Sequence, residues 1–319
     1  MGLWLCSTFK NSIQAQENLV PNGSFEEYYN CPSYAEGFYI NACKYWTSPT
    51  LGSPDYLNAC SVDFDSSLNT YLFSVPQNAA GNQFAEDGDA YAFLYLGQTD
   101  NYSQPAYCEY IQIELVKPLE EGKLYNLKFY AHNPGIRCTN TIGVLFSQYE
   151  INEQHQTLIQ SEPQFMSDSN MFFCDTNKWY ELNYTFFSDG SERYMTIGLF
   201  KEGSEINQTD YQGNILLNEN IEALFYIDNV SLNELDFALP NVFTPNNDDV
   251  NDYFSFTDLS KTLEKLTILN RWGSIVYQSD DVFFWDGKHQ QTPCADGVYY
   301  YILEFKQYTK KTGFVHLIR

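Results

Sequence analysis

Apolar and polar positions alternate along most of this chain, or apolar residues run together for five or six positions and then stop. Such stretches include Ala90 to Tyr95, Leu124 to Tyr130, Tyr194 to Phe200, Leu266 to Leu269 and Val298 to Leu303. A period of two is the signature of a strand whose side chains point alternately to opposite faces. Helical spacing is almost absent. Turn-forming clusters separate the runs: Glu86 to Asp89, Ser188 to Ser191 and Asn246 to Asp249. Many short strands between polar turns predict an all-β chain built from β-sandwiches.

Composition agrees with this pattern. The 319 residues suffice for two domains with separate cores. A hydrophobic share of 44% against 18% charged is that of a folded chain. The 26 Tyr and 24 Phe suit strands better than helices. No apolar run approaches the ~18 residues of a membrane helix. The net charge of −24 is unevenly placed. Residues 237–319 hold 8 Lys and Arg against 10 Asp and Glu, a net of −2; the remainder holds 9 against 31, a net of −22. Such a field repels nucleic acid and anionic membrane surfaces and draws cations, although solubility alone explains much of it.

The ends and the cysteines suggest an exported protein. Residues 1–16 read as a partial signal-peptide-like leader, with a short apolar stretch from Leu3 to Cys6 and Lys10 after it instead of before it. Cys31, Cys43, Cys60, Cys108, Cys138 and Cys174 lie in one module and allow up to three disulfides in about 15 connectivities. Proximity favours Cys31–Cys43. Cys6 and Cys294 lie outside that set, and the absence of any CxxC pair argues against a zinc knuckle.

Residues 17–236 open with Asn18-Leu19-Val20-Pro21-Asn22-Gly23-Ser24-Phe25-Glu26 and close with Phe225-Tyr226-Ile227-Asp228-Asn229-Val230-Ser231-Leu232. This pair of ends resembles the galactose-binding-like jelly rolls, including carbohydrate-binding modules. The resemblance implies that the two segments lie side by side and hold a structural calcium through Glu26 and Asp228. The alternative is that both carboxylates cap turns. Tyr45 to Thr50, Ser53 to Tyr56, Asn30-Cys31-Pro32 and Asp87 to Tyr91 are similar to a module of Bacteroidetes surface proteins.

Residues 237–319 carry Pro240 to Asp252, Leu266 to Gly273, Val276-Tyr277, Trp285-Asp286-Gly287-Lys288, Asp296 to Tyr301 and Gly313 to Arg319. In this order they resemble the gliding-motility-associated C-terminal domain, the type B sorting domain of the type IX secretion system. The resemblance implies an immunoglobulin-like sandwich, export to the cell surface, and as partners the secretion machinery and its outer-membrane accessory protein. Its motif residues are Asn246, Asp248, Asn251, Asp252, Arg271, Trp272, Gly273, Trp285, Asp286 and Gly287. Asn247 and Asp249 stand where the family has glycine; both tolerate left-handed backbone. The acidic cluster Asp248, Asp249, Asn251 and Asp252 fits an Asx-turn loop, with calcium binding as the alternative; its spacing is not that of an EF-hand.

Trp272 and Trp285 are expected to be structural. Trp46, Trp179, Tyr56 and Tyr107 are the candidates for stacking on a sugar ring, against core packing. Arg271 can stack on Trp272, pair with Asp286, or be read by the secretion apparatus. No nucleophile elbow, zinc protease, phosphate loop or dinucleotide fingerprint occurs. His132, His155, His289 and His316 have no ligand spacing. The expectation is a non-enzymatic, exported binding protein with a jelly roll suited to glycan. A polysaccharide hydrolase with an unrecognised site and a protein-binding adhesin are the alternatives.

Overall fold

The computed structural model describes residues 17–98, 106–135, 137–201, 208–210, 212–214, 216, 221–235, 241–248, 250–256, 259, 263–305 and 310–319. The 1–16 leader, the boundary near Asp236 and Asp249 lie outside the described residues. Among the described residues the named elements are strands, with a short 3₁₀ turn at Ile40–Ala42. The all-β class read from the alternation is therefore what the chain adopts.

The first module is two sheets packed face to face. One has the strand order Trp46–Thr47, Tyr110–Glu114, Tyr194–Gly198, Gly143–Ser147, Phe165–Met166. The other has the order Tyr180–Phe187, Leu124–His132, Ile221–Leu235, Ala90–Gln98, Asp55–Asn58, with Tyr107–Cys108 also pairing to 90–98. All these pairings are antiparallel. Between the sheets lie Ala92, Leu94, Leu96, Leu127, Phe129, Phe225, Ile227, Ile111, Ile113, Val144, Met195 and Ile197, all buried. These are the alternate positions of each run, as the period of two requires.

The opening and closing segments do lie side by side. Leu19 N–H donates to Leu232 O at 2.8 Å, Val230 N–H donates to Gly23 O at 2.8 Å, and Leu232 N–H donates to Asn18 Oδ1 at 2.9 Å. The contact explains the glycine: a Cβ at residue 23 would sit 1.9 Å from Val230 O. It falls where the 221–235 strand bulges, between Asp228 and Ser231.

Both outer faces of the sandwich are crossed by the chain itself. Residues 59–89 cross the six-stranded sheet and build a small second core from Leu57, Leu72, Phe73, Val75, Tyr91 and Tyr226. Residues 148–164 cross the other sheet, where Gln112 exchanges two side-chain hydrogen bonds with Ile151 and Ile159 N–H donates to the Tyr110 hydroxyl.

The disulfides correct the proximity expectation. Cys31 is bonded to Cys60, not to Cys43, and Cys138 is bonded to Cys174. Cys43 and Cys108 are free and buried. Cys43 lies beneath Asn22, whose Nδ2 is 3.2 Å from Sγ, while Cys31 faces the end of the Asp55–Asn58 strand. Two bonds form among the six cysteines, and one of them ties the 59–89 crossing to the segment near residue 31.

The second module has one five-stranded sheet, in the order Val242–Phe243, Lys310–Leu317, Gly297–Phe305, Leu263–Leu269, Ile275–Ser279. Short ladders Phe254–Ser255 with Phe284–Trp285, and Lys288–His289 with Thr292–Pro293, accompany it. Its core includes Phe243, Phe254, Phe256, Leu266, Ile268, Trp285, Tyr299, Tyr301 and Leu303. Leu124, Phe187 and Leu235 of the first module join this core, and the Phe187 and Phe305 rings lie 5.4 Å apart.

Candidate functional site

Register places side chains of four strands in one row on the outer face of the six-stranded sheet. Asp55 pairs with Phe93, Phe93 with Tyr226, and Tyr226 with His132. Trp179 lies beside this row, 5.8 Å from Tyr91 and 5.5 Å from His132 between ring centres. An aromatic row of this kind would serve as a sugar platform if it were open. It is closed by the 59–89 crossing. Asn78 Oδ1 accepts a 2.6 Å hydrogen bond from the Tyr226 hydroxyl, and Asn78 Nδ2 donates to the Tyr91 hydroxyl at 3.0 Å. Trp179 Nε1 donates to Phe84 O at 3.0 Å, and burial holds the His132 imidazole below its ordinary value.

The open part of the same face lies at its Asp55 end. Gly97 stands opposite Tyr107 in register, and a Cβ there would meet the Tyr95 hydroxyl at 2.2 Å, so glycine lets the Tyr95 ring lie flat along its own strand. The rings of Tyr95 and Tyr107 are 6.0 Å apart and both half-buried. Beneath them, Glu109 Oε1 accepts from the Tyr107 hydroxyl at 2.8 Å and from Ser53 Oγ at 3.3 Å, while Oε2 accepts from Tyr95 N–H at 2.8 Å. Ser53 N–H donates to the Tyr107 hydroxyl at 3.0 Å. Burial raises the Glu109 carboxyl, and the bonds from Tyr107 and Tyr95 oppose it. Burial and then the Glu109 charge push Asp55 up to about 8. Asp55 is therefore largely protonated at neutral pH and can donate as well as accept.

Of the four aromatic candidates, Tyr107 alone belongs to this cluster. Trp46 and Tyr56 are corrected: both are fully buried and offer no face to a ligand. They fix the opening turn. Trp46 stacks on Phe25 at 4.9 Å and its Nε1 donates to Asn22 O, while the Tyr56 hydroxyl donates to Phe25 O. Asn22 and Phe25 have φ of 50° and 62°, a region uncommon for side chains such as Phe25. Trp179 packs against the covered row. Sequence reasoning missed Asp55, Tyr95 and Glu109. The available signal was an acid, Glu109, inside the apolar run from Ala106 to Ile113.

Glu26 and Asp228 converge on one turn. Asp228 Oδ2 accepts from Glu86 and Asp87 N–H at 2.7 and 3.0 Å, and Glu26 Oε1 accepts from Asp89 N–H at 2.8 Å. Burial pushes Asp228 up to about 8, and Glu86 adds repulsion. Hard carboxylate oxygens without a cationic partner suit calcium in kind. Among the described residues, however, no three acidic, His or Cys side chains are arranged around an ion. Further ligands would have to be backbone oxygens.

The sorting motif is distributed over the second module. Asn246, Asp248 and Asp252 accept backbone bonds through their side chains: Asp248 N–H donates to Asn246 Oδ1, Val250 N–H to Asp248 Oδ1 and Asn247 N–H to Asp252 Oδ1, while Asn251 O accepts from Thr244 N–H. Asn247 takes a φ of 63° where the family has glycine. Trp285 is buried against Phe243 and Tyr299. Trp272 is 78% exposed, which corrects its structural assignment; it sits in the turn from Asn270 to Ser274, outside the core of this module. Arg271 stacks over Trp272 at 5.2 Å and does not pair with Asp286, which is bound to Lys288 at 2.8 Å. Gly273 closes the turn with an N–H bond to Asn270 O, and Gly287 O accepts from Cys294 N–H and from Arg319 Nη2.

Shallow clefts lie elsewhere among the described residues. One of 460 Å³ is lined by Tyr149, Arg193 and Tyr194, and its Arg193 is already held by Glu114 at 2.6 Å. One of 380 Å³ lies between Tyr253, Tyr277 and Phe284.

Residues 237–317 match the CHU_C type IX secretion signal domain. The protein thus carries a secretion signal of that pathway and is a secreted, cell-surface protein. No helix among the described residues is long and apolar enough to cross a membrane. No curated protein matches the chain in sequence. Similar solved structures include the enzymatically active domain of tailspike protein 4 from bacteriophage CBA120, at 13% identity and TM-score 0.29, covering 68% of this chain and 21% of that one. The chain therefore spans about a fifth of that tailspike chain. The CBM22-1 xylan-binding domain from Paenibacillus barcinonensis Xyn10C is similar at 10% identity and TM-score 0.31, covering 70% and 98%. TmCBM61, solved in complex with β-1,4-galactotriose, is similar at 13% identity and TM-score 0.27, covering 69% and 99%. Identities and TM-scores this low say nothing of what this chain binds.

Proposed function

We propose that the protein is a non-enzymatic, surface-displayed glycan binder and that its contact point is the Tyr95, Tyr107, Asp55 and Glu109 cluster. The observation that carries this reading is the pair of half-buried tyrosine rings, 6.0 Å apart, standing over two carboxyl groups. Aromatic faces stack on the C–H side of a sugar ring. A protonated Asp55 supplies a donor for its hydroxyls, and the Glu109 carboxyl beneath the rings holds the Tyr107 hydroxyl in place. The acidity of this module favours neutral over anionic glycans. Calcium held by Glu26 and Asp228 would brace the turn that begins the 90–98 strand.

Binding of the purified protein to an array of neutral and anionic glycans tests this. Binding to a neutral class, lost by roughly tenfold or more in Tyr107→Ala, is the expected result. Unchanged binding in that variant places the site elsewhere. The two raised carboxyl groups also favour a second reading, a hydrolase using Asp55 as acid. Release of reducing sugar by the parent but not by Asp55→Asn would establish it in place of binding alone.

A further inference from the structure

The 380 Å³ cleft of the second module has an aromatic side and a polar side. Tyr253 is 57% exposed, Phe284 is 38% exposed, and their rings meet edge to face at 5.1 Å. Register explains why they face outward. Phe254 pairs with Trp285, and both of these are fully buried. Tyr253 and Phe284 are their neighbours in sequence and so turn to the other side of the short ladder. The core of this module is built without them.

The polar side is a two-residue turn in a costly conformation. Lys288 pairs with Pro293 and His289 with Thr292, which leaves Gln290 and Gln291 as the loop, at φ of 48° and 68°. A hairpin loop with positive φ at both positions ordinarily reads Asn-Gly or Asp-Gly, because glycine and short polar side chains enter the left-handed region most cheaply. Elsewhere in this chain Asn22, Asn69, Asn229, Asn247 and Asn251 hold such angles. Two adjacent glutamines depart from that rule, and strained residues gather where ligands are held. The base of the hairpin is pinned: Trp285 Nε1 donates to Lys288 O and His289 Nδ1 donates to Val276 O, each at 2.8 Å. Both glutamines line the cleft.

These groups select the occupant. Aromatic rings take the C–H faces of a ligand, and a primary amide offers donors and an acceptor to neighbouring hydroxyls. Asp286 and Lys288 are the charged lining residues, and they are bound to each other at 2.8 Å, so the lining is neutral in sum. A concave site of this size suits a small ring compound, not a protein surface. We propose that the cleft is a second saccharide-binding site, for a neutral sugar, in which Tyr253 and Phe284 stack and Gln290 and Gln291 bind hydroxyls. It shares no residue with the Tyr95 and Tyr107 cluster and does not rest on that reading.

The test uses the full chain and neutral gluco-, manno-, galacto- and xylo-oligosaccharides that carry a photoreactive group, with adducts mapped by peptide mass spectrometry. A sugar of this panel should mark residues 250–256 or 284–293 and be displaced by its unlabelled form. Tyr253→Ala should cut that labelling by roughly tenfold. Gln290→Asn with Gln291→Gly separates ligand contact from structure. This variant should melt above the parent, because its turn is relieved, and yet be labelled at the cleft roughly tenfold less. Labelling of the stabilised variant within about twofold of the parent overturns the inference. So does labelling confined to the first module, or none by any sugar of the panel. Labelling here but not near Tyr95 and Tyr107 supports this inference and ends the reading of that cluster.

Discussion

The hydroxyl of Tyr226 donates a 2.6 Å hydrogen bond to Oδ1 of Asn78, joining two buried residues 148 positions apart. Asn78 also binds the Tyr91 hydroxyl and accepts from Ala80 and Gly81 N–H, so one amide closes the crossing segment onto the sheet. Truncation removes the acceptor of the buried Tyr226 hydroxyl, at ~1–3 kcal/mol, while the Tyr91 hydroxyl keeps its bond to Gln83 O at 3.0 Å. Asn78→Ala should lower the urea midpoint by an amount worth a few kcal/mol and expose the aromatic row to a hydrophobic dye. An unchanged midpoint would mean that apolar packing alone seals this face.

Gly23 admits no side chain, because Val230 O occupies the place of a Cβ. Gly23→Ala must push the opening segment away from the 221–235 strand. A loss above ~3 kcal/mol, or failure to fold, is expected. A soluble variant with the parent's melting curve would contradict the contact.

The two tryptophans of the second module should part company on truncation. Trp285→Ala removes a fully buried ring and should cost ~3–5 kcal/mol. Trp272→Ala removes an exposed one and should stay within ~0.5 kcal/mol. Chemical denaturation of both variants decides it, and equal losses would mean that Trp272 is packed in solution.

Asp55 gives a dependence on pH with a defined sign. Its folded value, about 8, lies above that of an unfolded aspartate, so the folded chain holds the proton more tightly. The stability it contributes is present at low pH and is lost as pH rises from ~4 through about 8. Asp55→Asn should melt close to the parent near pH 5 and several degrees above it near pH 9. Parallel melting curves across that range would show that Asp55 is not buried as a neutral acid.

Calcium, if held by Glu26 and Asp228, stabilises by mass action. At a hundredfold excess over the dissociation constant the gain is ~2.7 kcal/mol, which is roughly 5–10 °C for a module of this size. Chelator should abolish the shift, as should Glu26→Gln. A melting temperature indifferent to calcium removes the ion from the description.

What was legible in the sequence follows from which constraints are local. Alternation identified the 90–98, 124–132 and 297–305 strands because side-chain period is a local property. The pairing of the two ends was legible through the resemblance of residues 18–26 and 225–232 to the ends of galactose-binding-like jelly rolls. Cys31–Cys60 was not, because the partner is chosen by how residues 59–89 fold back, which no spacing encodes. The ligand candidates Trp46 and Tyr56 misled for a related reason. Trp46 pairs with Ile113 and Tyr56 with Ala92, both positions between the sheets, and which face of a short strand turns inward is settled by a pairing that the strand's own sequence does not carry.

The Ile221–Leu235 strand has a mechanical meaning. It lies between two antiparallel neighbours, pairs near its first residues with Tyr95 through Leu224, and leads at its last toward the signal domain. A ligand pulling against a tethered C-terminus would draw along this strand. Its ladder would then be loaded in shear, with many bonds resisting together, instead of being peeled from an edge. Force spectroscopy that pulls between the Tyr107 region and the C-terminus should therefore find a higher yield force than pulling across the edge strand Asp55–Asn58. On a moving or flow-swept cell, the order of the strands would matter as much as the affinity of the site.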